Sequence, residues 1–142
     1  MRFIMLVKAS PDSEAGLRPA PELFEAMGKF NAEMVQAGVM LDVGGLQPSS
    51  KGVRVRFSAA KPTVTDGPFT EATELVAGYW LIDVPSKAEA IQWASRVPFQ
   101  DGEIEVRQVF EAADYPEEFV SASQRGRDQA LRDELQRKGA HT

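Results

Sequence analysis

Asp66 heads the run Asp66-Gly67-Pro68-Phe69, and a carboxylate placed in a turn can bind a ligand hydroxyl or take a proton. The run also has a purely structural reading. Asp favours turn initiation, Gly67 allows positive φ, Pro68 fixes its own φ while restricting Gly67, and Phe69 then buries an anchor. A second set comprises Tyr79, Asp83, Glu105 and Arg107. Strand alternation puts Tyr79, Leu81 and Asp83 on one side of a strand, with Trp80, Ile82 and Val84 on the other. Glu105 and Arg107 oppose Ile104, Val106 and Phe110 in the same way. If the more apolar sides face helices, Tyr79, Asp83, Glu105 and Arg107 share the opposite side. There they form either an ion-pair network between subunits or a polar pocket. Glu71 and Glu74, three apart, flank a helical turn or line a solvated face. Acid–base work by two carboxylates needs a defined separation and burial. Arg54 and Arg56 share one side of a strand, as a charged edge that resists aggregation or as a contact for an acidic partner.

The same inventory excludes several chemistries. The 142-residue chain has no cysteine, so thiolate catalysis, disulfides and Cys-based metal sites are ruled out. That composition suits a reducing cytoplasm. The single histidine, His141, is the second-last residue, where nothing orients it as a base. With no His or Cys cluster, no metal is expected. No P-loop, Gly-x-Gly-x-x-Gly or Gly-x-Ser-x-Gly occurs, and no cofactor is expected. The net charge of −5 disfavours nucleic acid, whose phosphates require clustered Lys and Arg. No apolar run approaches the ~20 residues that span a bilayer. Met1–Lys8 is too short for a signal segment and reads as a first strand.

These side chains need elements to position them. Residues 2–8 are apolar on both sides: Phe3, Met5 and Val7 on one, Ile4 and Leu6 on the other. Residues 10–20 read as a loop. Pro21 opens a helix that continues through Leu23, Phe24, Met27, Phe30 and Met34 to a stop at Gly38, giving about 21–37. Gly28 within it costs roughly 1 kcal/mol relative to Ala, which suggests a close approach there. Residues 39–43 form a short strand that Gly44-Gly45 breaks or bulges. Val53–Phe57 and Thr63–Thr65 pair as a hairpin. Gly78–Val84 is a long central strand. Ser86 and Glu89 make a capping box for a helix that ends at Pro98, and 104–110 is the last strand. Beyond Tyr115 the chain is charged and helix-favouring, with a thin apolar stripe of Phe119, Val120, Leu131 and Leu135. With the hairpin set aside, the order is βαββαβ, the ferredoxin-like pattern of an α+β protein. Both helices then cover one face of the sheet. The apolar second side of 2–8 requires another cover, and a second subunit is the simplest.

Five blocks resemble the DGPF branch of the YCII-related family: Gly44-Gly45-Leu46-Gln47-Pro48, Asp66-Gly67-Pro68-Phe69, Glu71 with Glu74, Gly78–Ile82, and Ile104–Arg107. The resemblance covers 1–113 and leaves 114–142 as a helical tail. It implies a dimeric α+β-barrel in which two sheets face each other. It also implies a His–Asp pair, but the matching positions hold Met27 and Val97, and a lysine common in the branch is Thr73 here. Three functions follow as expectations. The first is a homodimeric, cytoplasmic small-molecule-binding domain with weak or no activity. Its cleft would lie between the two facing sheets, near Asp66, Gly67, Pro68, Phe69 and Tyr79, flanked by Asp83, Glu105 and Arg107. The second is a regulatory module that contacts a protein partner through Arg54, Arg56 and the tail; the resemblance implies an extracytoplasmic-function sigma factor as the linked system. The third is an enzyme with Asp66 or Glu105 as base and Arg107 stabilising an anion.

Overall fold

A computed structural model describes residues 1–59, 61–71, 74–118 and 121–139. Thr73, Phe119, Val120 and His141 lie outside the described residues. The chain divides into two compact units, 1–108 and 109–142.

The first unit holds strands β1 (Arg2–Lys8), β2 (Met40–Gly45), β3 (Val53–Arg56), β4 (Thr63–Asp66), β5 (Val76–Asp83) and β6 (Ile104–Gln108). Its helices are α1 (Pro11–Glu14), α2 (Pro21–Gln36) and α3 (Lys87–Ser95). The main sheet has the order β2-β5-β1-β6, and every neighbouring pair is antiparallel. With α1 and the β3–β4 hairpin set aside, this is the ferredoxin-like βαββαβ topology.

One face of the sheet carries the core. Phe3 and Met5 of β1, Trp80 and Ile82 of β5, and Val84 just beyond it are buried against Phe30 and Met34 of α2 and Ala90 of α3. The Phe30 ring meets Trp80 edge-on at 5.7 Å and Trp93 at 6.1 Å, so one aromatic joins α2 to both the sheet and α3. The forward bond of the capping box forms at α3, where the Glu89 amide donates to Ser86 Oγ. Arg96 then ion-pairs with Glu33 of α2 and lies 4.4 Å over the Trp93 ring, tying the helices together at the surface.

On the opposite face, Ile4 and Leu6 of β1 and Leu81 of β5 are half-buried. Register places Leu6 between Tyr79 and Glu105, and Ile4 between Leu81 and Arg107. The central strands thus offer an apolar stripe bordered by polar side chains.

Two local expectations are corrected. Residues 10–20 are not all loop, because Ser10 and Ser13 exchange bonds that cap the single helical turn α1. Gly44-Gly45 does not end β2. The irregularity falls between Met40 and Asp42, and the glycines pair onward with Tyr79 and Gly78. Gly44 is needed for a close approach: a Cβ there would sit 2.8 Å from Tyr79 Cε1, so the tyrosine ring lies directly across the strand.

The second unit contains a 3-10 turn, Ala112–Asp114, and the helix α4, Ala122–Gly139. Arg132 ion-pairs with Glu111 at 2.8 Å, and the Phe110 and Tyr115 rings stack at 5.0 Å. Leu131 and Leu135 of α4 are exposed.

Candidate functional site

Beneath α2 the first unit has a half-open cavity of about 390 Å³. Helical spacing explains one wall. Leu23, Met27 and Asn31 follow each other at i, i+4 and i+8, with Phe24 and Gly28 alongside. The sheet supplies the floor through Val7, Val43, Gly78 and Trp80, and Phe99 closes an end from the loop after α3. Phe24 is 71% exposed and marks the mouth. None of the side chains around the cavity is ionised at neutral pH.

Gly28 is central to this geometry. A Cβ at position 28 would meet no atom within 4 Å, leaving aside the backbone of its own helix turn. The close approach suggested by its mid-helix position is absent, and the missing side chain leaves open volume instead. The polar side chains of this region are engaged. Trp80 Nε1 donates to Asn31 Oδ1 at 2.8 Å, and Tyr79 Oη donates to Asp42 Oδ2 at 2.9 Å. The bond to Asp42, reinforced by its negative charge, pushes the Tyr79 phenol above its ordinary range.

The residues singled out in the sequence fall into two groups. Tyr79, Asp83, Glu105 and Arg107 share the open face of the main sheet. Glu105 lies 3.5 Å from Lys8 Nζ and 3.9 Å from Arg107 Nε, and Asp83 accepts from the chain's amino terminus at 3.0 Å. Tyr79 is the one member of this group that also borders the cavity.

Asp66, Gly67, Pro68 and Phe69 belong to the hairpin region. Asp66 closes β4 opposite Val53. The Gly67 amide donates to the Gly52 carbonyl, and a Cβ on Gly67 would lie 1.8 Å from the Ser49 carbonyl oxygen. The Gly67–Pro68 peptide is cis. Phe69 donates its amide to Ser49 Oγ at 3.0 Å, and the Arg54 guanidinium lies 3.8 Å over its ring. Arg54 therefore has a partner within its own hairpin region. Glu71 and Glu74 are linked through backbone, the Glu74 amide donating to the Glu71 carbonyl.

Sequence reasoning missed the residue that fixes this turn. Glu14, in α1, accepts from the Ser49 amide at 3.0 Å and from its hydroxyl. Those two bonds hold the Glu14 carboxyl below its ordinary pKa. Glu14 and Ser49 are 35 positions apart and no local pattern links them. Asn31 was also missed. Its signal was a polar residue at the third position of an otherwise apolar i, i+4 series beside a glycine. Among the described residues no group of three or more His, Asp or Glu converges as a metal site, and no helix is long and apolar enough to cross a membrane.

Topology and core together define a ferredoxin-like α+β protein with an apolar cavity under its first long helix. The YCII-related domain model matches residues 1–113, and the chain belongs to that family. An uncharacterised protein of Rhizobium meliloti (strain 1021) is 40% identical over 60 residues, 42% of this chain. The match spans 48%, about half, of that relative's length. Among solved structures, 5-chloro-2-hydroxyhydroquinone dehydrochlorinase (TftG) from Burkholderia phenoliruptrix AC1100, in complex with 2,5-dihydroxybenzoquinone, aligns over 82% of this chain and 100% of its own. The TM-score is 0.46 and the identity 12%.

Proposed function

We propose that the protein is a cytoplasmic homodimer of the DGPF branch that binds a small molecule in the cavity beneath α2. The observation that carries this reading is Gly28. A mid-helix glycine gives up about 1 kcal/mol relative to alanine. Here no packing offsets that loss, because the volume it vacates opens into the cavity. A volume of about 390 Å³ with apolar and aromatic walls lies within the usual range of ligand sites. The dimer rests on Ile4, Leu6 and Leu81, which need cover on the open face of the sheet. Asp83, Glu105 and Arg107 then border the seam between subunits, and Tyr79 stands between seam and cavity. Asp66–Phe69 serve the hairpin, with the Asp66 carboxylate left for a ligand hydroxyl.

The test is a screen of small aromatic fragments by amide chemical shifts on the full chain. Binders should move the amides of 23–31 and 77–80, and Gly28→Leu should abolish those shifts while the helix remains folded. Fragments that bind Gly28→Leu as well as the native protein would remove the cavity as the site.

The β3–β4 hairpin favours a second reading, a module for a regulatory protein partner. All eight of its strand residues are exposed, with Val53 at 55% and Val64 at 63%, and Phe57 beyond β3 is 80% exposed. A two-stranded hairpin is marginal in water and gains from a cover. Phe57→Ser should weaken capture of such a partner without altering fragment binding.

A further inference from the structure

We infer that Asn31 is the residue that selects the cavity's ligand, and that the ligand is an uncharged, largely aromatic molecule carrying a hydrogen-bond acceptor such as a ketone or aldehyde oxygen. This rests on the small-molecule reading above and adds the ligand's chemistry. The orientation of the Asn31 amide follows from its neighbour. The Trp80 indole N–H can only donate, so the atom it meets at 2.8 Å must be the Asn31 oxygen. The Asn31 nitrogen, with its two N–H groups, is thereby committed to the other side of the amide. The Trp80 N–H is already spent on Asn31 itself, and the Tyr79 hydroxyl, on the other face of the sheet, donates to Asp42. Asn31 Nδ2 is the side-chain donor that remains. An acceptor on the ligand would satisfy it, and a pure hydrocarbon would leave it unpaired.

Charge is selected against by the same wall. The cavity is bordered by no Lys, Arg or His side chain. A carboxylate entering it would lose water and gain no counter-charge, a transfer far costlier than that of a neutral carbonyl. Shape follows from the rings of Phe24, Trp80 and Phe99, which favour a flat aromatic body.

Three probes of one skeleton separate these claims: 2-acetonaphthone, 2-ethylnaphthalene and 2-naphthoate, each titrated into the full chain and followed by the amide shifts of 23–31. The native protein should bind 2-acetonaphthone about three- to tenfold tighter than 2-ethylnaphthalene, roughly the worth of one neutral hydrogen bond. It should bind 2-naphthoate at least tenfold more weakly than 2-acetonaphthone. Asn31→Asp keeps an acceptor for the Trp80 N–H but removes the donor, and Asn31→Leu removes both. Each should erase the preference for 2-acetonaphthone over 2-ethylnaphthalene, and the second variant covers the case in which a new carboxylate disturbs folding. Equal binding of the two neutral probes to native protein would overturn the role of Asn31, and so would a preference that survives in both variants. Binding of 2-naphthoate as tight as 2-acetonaphthone would overturn the exclusion of charge. In those cases the cavity still binds small molecules. If no probe moves the cavity amides, the small-molecule reading fails and the inference with it.

Discussion

Gly28→Ala should stabilise the protein. Gly28 lies in the middle of α2, a helix of 16 residues from Pro21 to Gln36. Alanine outperforms glycine in a helix interior by about 0.8–1 kcal/mol, chiefly because glycine loses more backbone freedom on folding. The usual objection is steric, and it does not apply, since a Cβ at this position has no neighbour within 4 Å. The same emptiness means that the methyl adds little packing of its own, so the helix term dominates. About 1 kcal/mol should raise the melting temperature by about 3–4 °C in a chain of this size. In urea, with a slope near 2 kcal/mol/M, the midpoint should rise by about 0.5 M at unchanged slope. The measurement is circular dichroism at 222 nm, at one fixed protein concentration because assembly shifts apparent stability. A midpoint that stays put or falls would refute the reasoning: the space at Gly28 would then be filled, or the helix would need a glycine to bend there.

Gly67→Ala should do the reverse and destabilise by about 1–3 kcal/mol in the same urea assay, because its methyl collides with the Ser49 carbonyl oxygen, a backbone atom that cannot swing aside. Glu14→Gln should lower stability at neutral pH, and the gap to native protein should narrow as pH falls. The native carboxyl is held below its ordinary value by Ser49, so its contribution is complete above the unfolded pKa and fades as pH drops through the folded one. The gap should therefore be constant from neutral pH to about 5 and shrink below that; a gap that widens in acid would reverse the assignment. Sedimentation equilibrium at micromolar concentration should give twice the chain mass of 15.6 kDa, and a monomer would leave Ile4, Leu6 and Leu81 without the proposed cover. A chain ending at Ala113 should remain folded and dimeric with a modestly lower melting temperature, since Leu131 and Leu135 of α4 are exposed; recovery only as aggregate would make the tail part of the fold.

The sheet was legible because its signals are local. Alternation alone separated Phe3, Met5, Trp80 and Ile82, now buried, from Tyr79, Asp83, Glu105 and Arg107 on the other face. Spacing and terminal residues gave α2 as 21–37, and it spans Pro21–Gln36. What the sequence hid is what the chain joins across distance. The Trp80–Asn31 bond spans 49 positions and the Ser49–Glu14 bonds span 35, and neither pair has a composition or period to betray it. The glycines were visible as residues but not as roles. Gly28 suggests a close approach and leaves a void; Gly44 suggests a break or a bulge and is the bed for a tyrosine ring. A glycine shows that a side chain is missing; only the neighbours show whether something else fills the space.

The apolar cavity also bears on whether the proposed site transforms its ligand or holds it. Proton transfer needs a group within hydrogen-bond reach whose pKa lies near the working pH. The Tyr79 phenol, on the other face of the sheet, is bonded to Asp42 and titrates even further above neutrality than an unperturbed tyrosine. The indole and amide of Trp80 and Asn31 donate but do not titrate. The two positions where the family resemblance implies a His–Asp pair hold side chains that cannot act. Met27 borders the cavity, whereas Val97 borders a separate groove between α3 and β6. A histidine restored at 27 alone would gain no orienting carboxylate while position 97 holds valine. On the proposed reading, the residues that α2 and β5 bring together can select an uncharged ring and shelter it from water. Turnover would require a group that titrates near the working pH.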